Sequence, residues 1–335
     1  MTFMTASADL FGALADPTRL RILALLETLE LAIGEIASVL DQSQPRISRH
    51  VRILVETGLV ERRKEGGWVF LRLARTPVGT AVRALFDTLG RAQGEGLAVD
   101  ADLARLAEVQ AERNAVAERY FSSHASEWDR IRTLYAPDAE VEAAMIALMD
   151  GKSAGHLLDI GTGTGRMLEL FAADALSATA LDRSSEMLRI ARAKLSEQGT
   201  VQRIRAIDFV QGDFYALPLD GESTDTVILH QVLHYAHRPE RVIAEVARVL
   251  KTGGSVLVAD FAPHLREDLR SGSAHARLGF SDDQMRAMFA DNGLNVEAQT
   301  RITGGELTVC VWRAGKRSTG NRDATRNNRP HRVAA

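Results

Sequence analysis

The chain has 335 residues, 45% hydrophobic and 25% charged, with a formal net charge of −3. These are ordinary globular values, and the length points to two domains. No apolar run reaches the ~20 residues of a membrane span, the first residues lack the charged head and apolar core of a secretion signal, and the lone Cys310 excludes an intramolecular disulfide and a thiolate zinc cluster; a cytoplasmic protein with no membrane partner and no metal site is expected.

The charge is unevenly spread. Residues 1–95 carry 12 basic and 11 acidic side chains, residues 96–312 carry 22 and 32, and residues 313–335 carry seven Arg/Lys against Asp323 alone. An acidic middle repels nucleic acid, so any DNA contact must come from local basic surfaces near the ends.

In chain order, "DLFGALADPTRLRILALLETL" places leucines at helical spacing, with Pro17 opening a second helix after Asp16. "AIGEIASVL" reads as a short helix ending near Asp41-Gln42. "SQPRISRHVRILVET" is a third, with Ser43 at its N-cap, Pro45 in its first turn and Gly58 as its stop. "LVERRK" and "WVFLRL" form a hairpin around Glu65-Gly66-Gly67, and "VGTAVRALFDTLGRA" is another helix. The boundary falls at 93–97, followed by a connecting helix. From 156 onward, strands ("HLLDIG", "SATALD", "IDFVQGD", "TDTVILHQVL", "GGSVLVADF", "NVEAQTRI", "ELTVCVW") alternate with helices. That alternation predicts a doubly wound sheet, parallel at least through its first strands. The tail from 314 is polar, basic and nearly aliphatic-free, the composition of a disordered segment.

On the 43–57 helix, Ile47, Val51, Leu54 and Val55 share an inward face, and Arg46, Arg49 and Arg52 lie on the other. The guanidinium fork matches guanine edges and phosphates, so this face suits a major groove. The hairpin adds Arg62, Arg63, Lys64 and Arg72; residues 43–75 hold eight basic and three acidic side chains.

"ALADPTRLRILALL", "SQPRISRHVRIL" and "GLVERRKEGGWVFLRL" resemble the ArsR family of dimeric winged-helix repressors, over residues 8 to about 92. The resemblance implies a homodimer through the first and last helices of the domain, on a two-fold-symmetric double-stranded operator. It implies that Gln44, Arg46, Ser48 and Arg49 lie nearest the bases, beside Arg52, and that Arg62, Arg63 and Lys64 meet backbone or minor groove. His50 fits the pattern as a packed or capping residue. Metal-sensing members carry thiolates in a stretch matched here by "ELAIGEI", where Ala32 and Gly34 stand in their place and cannot bind a soft metal. The signal must therefore come from elsewhere in the chain.

"DIGTGTG" offers one source. Gly161, Gly163 and Gly165 permit a sharp turn and close approach of backbone N–H groups to a ligand. Seventeen residues on, Asp182 ends a strand where a carboxylate can accept from both ribose hydroxyls. A dinucleotide fold would want G-x-G-x-x-G, which Arg166 and Met167 break. With "QGDFYALPL", "VILHQVLHY" and "VARVLKTGGSVLVADF", the loop resembles the class I S-adenosylmethionine-dependent methyltransferases, over about 115–312. That resemblance implies that Asp159, Gly161, Gly163 and Gly165 hold the methionine moiety, Asp182 the ribose, and Asp213 and Phe214 the adenine; Tyr120 and Trp128 are candidate covers, with packing in the core as the competing account of each. His230 and His234 are the candidate general bases, and a hydrogen-bonded structural role is the competing account of each. The segment of amino-methylating DNA enzymes is absent, and arsenite methylation would need several cysteines.

The expected architecture is an α+β winged helix-turn-helix domain at 1–95, a helical linker and lead-in at 96–130, an α/β doubly wound, Rossmann-like, seven-stranded class I methyltransferase domain at 131–313, and a basic tail at 314–335. Two functions stay open. One is a transcriptional regulator that takes S-adenosylmethionine or S-adenosylhomocysteine as signal and controls methionine-cycle genes. The other is an active methyltransferase on a small-molecule acceptor, autoregulated by its winged helix. A winged helix used only for dimerisation is disfavoured by its outward arginines.

Overall fold

The computed structural model describes residues 3–65, 68–74, 76–93, 100–128, 130, 137–197 and 207–317. The chain divides into two compact units. The first comprises Met1–Phe121, His234–Arg238 and His264–Leu278; the second comprises Ser122–Leu233, Pro239–Pro263 and Gly279–Ala335.

The first unit opens with helices α1 (Phe3–Leu14) and α2 (Pro17–Thr28). Asp16 caps α2 by accepting the Arg19 N–H at 3.0 Å, and Pro17 fills the first turn, where no donor is needed. A two-residue strand, β1 (Leu31–Ala32), precedes α3 (Ile33–Leu40), which Asp41 ends in a left-handed conformation (φ 53°). Helix α4 (Gln44–Glu56) starts after Ser43, which sits at the cap position without a side-chain capping bond. Strands β2 (Val60–Glu65) and β3 (Trp68–Leu73) pair antiparallel from Val60↔Leu73 to Glu65↔Trp68. Their turn glycines lie outside the described residues. β1 adds to β3 at Leu31↔Leu71, giving the order β1-β3-β2. Ile47, Val51 and Leu54 of α4 are fully buried with Ile22, Leu23, Ile36, Leu59 and Leu71. Each such side chain contributes roughly 1.5–3 kcal/mol of apolar burial, so this face fixes which side of α4 turns outward.

α5 (Pro77–Gln93) and α6 (Asp100–His124) follow. Here the expected linker at 96–130 needs correction. Leu106 of α6 belongs to the same core, and buried Asp102 takes both Arg21 nitrogens at 2.6 Å. The helix up to Phe121 is therefore part of the first unit; residues 94–99 and 131–136 lie outside the described residues. Two pieces expected at 131–313 also belong to it, His234–Arg238 and His264–Leu278. The N–H groups of Ala276 and Arg277 both donate to the His234 carbonyl, at 3.0 and 2.9 Å, which ties the two pieces together. The Arg238 guanidinium donates to the Thr28 carbonyl of α2.

The second unit is built on a seven-stranded sheet of order β6-β5-β4-β7-β8-β10-β9. Its strands are β4 (Gly155–Ile160), β5 (Ala175–Asp182), β6 (Ile207–Gln211), β7 (Thr224–His230), β8 (Leu250–Phe261), β9 (Leu294–Ile302) and β10 (Val309–Lys316). β6, β5, β4, β7 and β8 pair parallel, and β10 runs antiparallel between β8 and β9. Val227, Ile228 and Leu229 are fully buried, as expected for the centre of a sheet covered on both faces. The strand order reverses between β4 and β7, so the crevice beyond their carboxyl ends is the place for a ligand. The tail boundary at 314 moves: β10 runs to Lys316, whose ammonium caps the Ala247 and Leu250 carbonyls at 2.8 and 2.7 Å. Residues 318–335 lie outside the described residues.

Candidate functional site

The outward face of α4 carries exposed Gln44, Arg46, Arg49 and Arg52, with Ser48 half-buried among them. Among the described residues no acidic side chain pairs with these three arginines. His50 lies at 3.6 Å from Asp16, the cap of α2, and so packs against that corner. On β2, Arg62 and Lys64 are exposed, while Arg63 alternates to the other face. Arg63 departs from its expected DNA contact. Its Nε donates to Glu30 at 2.8 Å, its guanidinium stacks over the Phe70 ring, and its side chain is 14% exposed. Arg72 is likewise occupied, by Glu61 at 2.9 Å.

In the second unit, the loop after β4 turns at Gly161 (φ 68°), Gly163 (φ 54°) and Gly165 (φ 87°). Gly161 must be glycine for space as well as conformation, and Gly163 is tightly packed. A Cβ on Gly161 would stand 2.4 Å from Val232, and one on Gly163 would stand 3.2 Å from the Trp128 indole nitrogen. Trp128 therefore lies against the loop. Tyr120 belongs to the first unit, edge-on to Phe121.

Two carboxylates shape the loop. Asp182 accepts the Gly163 N–H at 2.9 Å and the Ser184 N–H at 2.8 Å. Burial raises its pKa, and those two donors work against the rise. Asp159 is buried at the end of β4 and accepts the Thr162 hydroxyl at 2.7 Å. Burial pushes its carboxyl up to about 7, the Thr162 bond opposes this, and the charge of Asp182 adds to it. The folded chain thus holds a proton that the unfolded chain has released. The stability tied to this group is complete below the unfolded value and is lost as pH rises through about 7. Asp159→Asn should flatten the stability profile between pH 5.5 and 8 by up to ~1.4 kcal/mol per pH unit. Denaturant melts of both proteins across that range check this, and parallel profiles would contradict it.

Asp213 accepts the Tyr215 N–H at 2.9 Å, and the Gly212 N–H beside it donates to the Asp182 carbonyl at 3.0 Å. This brings the Asp213–Phe214 turn next to the end of β5. Phe214 is half-buried, edge-on to Tyr215 at 4.7 Å. Asp159, the glycines, Asp182, Asp213 and Phe214 thus line adjacent strand ends of one unit. His230 is the buried last residue of β7, whereas His234 belongs to the first unit, in tilted ring contact with His275 at 4.1 Å and Tyr235 at 4.0 Å. Burial holds the His275 imidazole well below its usual pKa, so this cluster stays neutral at that ring.

Gln231 was not among the expected residues. It follows β7 directly, has φ 53°, and its side-chain nitrogen is buried with no hydrogen-bond acceptor among the described residues. Its neighbour Val232 is the residue packed on Gly161. A non-glycine residue in this strained region beside an unsatisfied donor makes Gln231 a candidate ligand-facing position. The sequence signal was a lone amide between apolar residues in "VILHQVL". Among the described residues, no group of His, Cys, Asp or Glu is arranged to hold a metal, and no helix is long and apolar enough to cross a membrane.

Comparison with known proteins finds both domains. The profile for bacterial regulatory proteins of the arsR family matches residues 16–62, and that for the methyltransferase domain matches residues 158–258. The chain is 33% identical over 161 residues to phosphatidylethanolamine N-methyltransferase of Cereibacter sphaeroides, covering 46% of this chain and 76% of that protein. It joins an ArsR-family regulatory domain to a methyltransferase domain. The regulatory domain is 52% identical over 67 residues to the arsenical resistance operon repressor of Escherichia coli, covering 20% of this chain and 57% of the repressor. The methyltransferase domain matches a chain of the complex between the Haloferax volcanii Trm112 methyltransferase activator and a methyltransferase. That match has TM-score 0.52 and 21% identity, over 60% of this chain and 98% of that one, and it shows the shared fold.

The cradle fits S-adenosylmethionine. Three left-handed glycines turn the loop after the first strand, one carboxylate ends the second strand, and one buried amide donor has no acceptor among the described residues. When bound, that group supplies an electrophilic methyl on a sulfonium. The chain's own part is to hold and align it. Gly161–Gly165 and Asp159 would take its amino-acid end, Asp182 its ribose, and Asp213–Phe214 its base.

Proposed function

We propose that the protein is a cytoplasmic, homodimeric transcriptional regulator that binds a double-stranded operator through α4 and the wing. In this reading its methyltransferase domain takes S-adenosylmethionine or S-adenosylhomocysteine as the signal. The observation that carries the reading is an intact donor cradle in the same chain as a winged helix whose metal positions are Ala32 and Gly34. A sensor of methylation potential suits control of methionine-cycle genes, and the coupling it needs is modest, ~1–3 kcal/mol, or about 5–150-fold in affinity. Exposed apolar Phe11 on α1 and Val78 and Leu85 on α5 support dimerisation through those helices.

DNA recognition is tested at Arg49. Its exposed guanidinium on α4 is free to bond a base edge in two places, so Arg49→Ala should weaken operator binding by ~1–3 kcal/mol and relax specificity at one position. Fluorescence anisotropy on the promoter of its own gene reads this out, and an unchanged Kd would remove Arg49 from the recognition set. A second reading, methyl transfer to a small-molecule acceptor, is favoured by the same intact cradle and by relatives that are named methyltransferases. It predicts turnover of the donor in the absence of DNA once an acceptor is supplied.

A further inference from the structure

The backbone donors of the glycine loop are largely spent within the chain. The N–H groups of Gly161 and Thr162 both donate to the Leu181 carbonyl, at 2.7 and 3.0 Å. That of Gly163 donates to Asp182 at 2.9 Å, and that of Gly165 to the Thr162 carbonyl at 2.9 Å. The acids beside them are buried Asp159 and half-buried Asp182. Ionised carboxylates accept hydrogen bonds and repel a further anion. The amino-acid end of an S-adenosyl compound carries one ammonium and one carboxylate. These acids suit the ammonium, and the carboxylate needs a donor from elsewhere.

Gln231 offers one. It leaves β7 two residues past Leu229, which pairs with Ile160 at the end of β4, and its neighbour Val232 packs on Gly161. The residue is 7% exposed, and its Nε2 is buried with no acceptor among the described residues. Its own N–H donates to the Ala259 carbonyl at 2.7 Å, which holds the backbone at φ 53°. The other described non-glycine residues at positive φ have plainer reasons: Asp41 and Asp150 close helices, and Glu222 and Ala274 lie in connecting loops. Gln231 combines backbone strain with an unmet donor, at the point where the strand order reverses. Such costs persist where a ligand offsets them. A carboxamide also fits because it is neutral: a lysine or arginine here would pair with the acids instead. We propose that Gln231 Nε2 donates to the carboxylate of the bound S-adenosyl compound while Asp159 takes its ammonium, which makes the cradle selective for S-adenosyl amino acids over adenosyl thioethers that lack a carboxylate. The proposal deepens the ligand reading above and rests on it, whether that ligand is a signal or a methyl source.

The test is calorimetric titration of the full-length protein with S-adenosylhomocysteine and with its decarboxylated analogue, which keeps the amine, the thioether and the adenosine. The wild type should bind S-adenosylhomocysteine about ten- to a hundredfold more tightly, the contribution of a hydrogen bond to a charged group. Gln231→Ala should erase that preference: the Kd for S-adenosylhomocysteine rises by about the same factor, and the Kd for the analogue stays within about twofold. The analogue thus reports that the pocket is intact. Gln231→Met keeps the length of the side chain without its amide and serves if the alanine variant does not fold. Gln231→Glu sets an anion against the carboxylate, so it should lose still more affinity for S-adenosylhomocysteine and none for the analogue. Equal losses for both compounds in Gln231→Ala would overturn the proposal, since Gln231 would then pack the pocket or face a methyl acceptor. A wild type without preference would overturn it too. If the wild type binds neither compound, the ligand reading fails and the proposal with it. If it binds both and Gln231→Ala binds them equally well, only the role of Gln231 fails.

Discussion

Asp182→Ala is expected to raise the Kd for S-adenosylmethionine and S-adenosylhomocysteine by about two orders of magnitude. A ribose diol would donate to this carboxylate twice, and hydrogen bonds to a charged group contribute roughly 1.5–3 kcal/mol each. Losing ~3 kcal/mol is about a hundredfold in affinity. The side chain has a second task, since it also accepts the Gly163 and Ser184 N–H groups at 2.9 and 2.8 Å and so braces the glycine loop. Asp182→Asn separates the two. It keeps an acceptor oxygen for one backbone donor but loses the charge. Calorimetric titration of each variant, alongside its ligand-free melting curve, gives both quantities. An unchanged Kd in Asp182→Ala would place the ribose elsewhere.

Gly161→Ala should abolish measurable ligand binding and cost ~2–4 kcal/mol of stability. The left-handed conformation at φ 68° costs an alanine roughly 1–2 kcal/mol. The added methyl would stand 2.4 Å from the Val232 side chain, and such overpacking costs a further ~1–3 kcal/mol. Val232→Ala on the same background removes the collision but not the strain. The double variant should recover part of the stability, a coupling that a double-mutant cycle reads directly. Purely additive losses would mean that Gly161 and Val232 do not share the space assigned to them.

Much of this was legible in the sequence for identifiable reasons. The period of Ile47, Val51 and Leu54 fixed the inward face of α4, and so its outward arginines. The alternation of apolar strands from Leu157 onward gave the doubly wound sheet, and glycines at 161, 163 and 165 marked the turn before a helix. Other features depend on tertiary neighbours that no local pattern reports. Arg63 looked like Arg62 and Lys64 in the run "ERRK", but strand alternation turns it to Glu30, thirty-three residues away. The helix from Asp100 read as a linker because Asp102 was one acidic residue among many; only Arg21, eighty-one residues earlier, reveals it as a buried pair. His234 is four residues from His230 and was the other candidate base, yet it groups with the first unit. Gln231 was passed over because an unsatisfied donor is a property of its surroundings and not of its residue type.

The measurement that bears most directly on the account is operator affinity as a function of ligand. Anisotropy with the promoter of its own gene, titrated separately with S-adenosylmethionine and S-adenosylhomocysteine at fixed salt, should show a shift of tenfold or more with one of them, and Asp182→Ala should abolish the shift. Equal operator affinity at every ligand concentration, with calorimetry showing the ligand bound, would contradict it and leave a methyltransferase whose acceptor is the next thing to find.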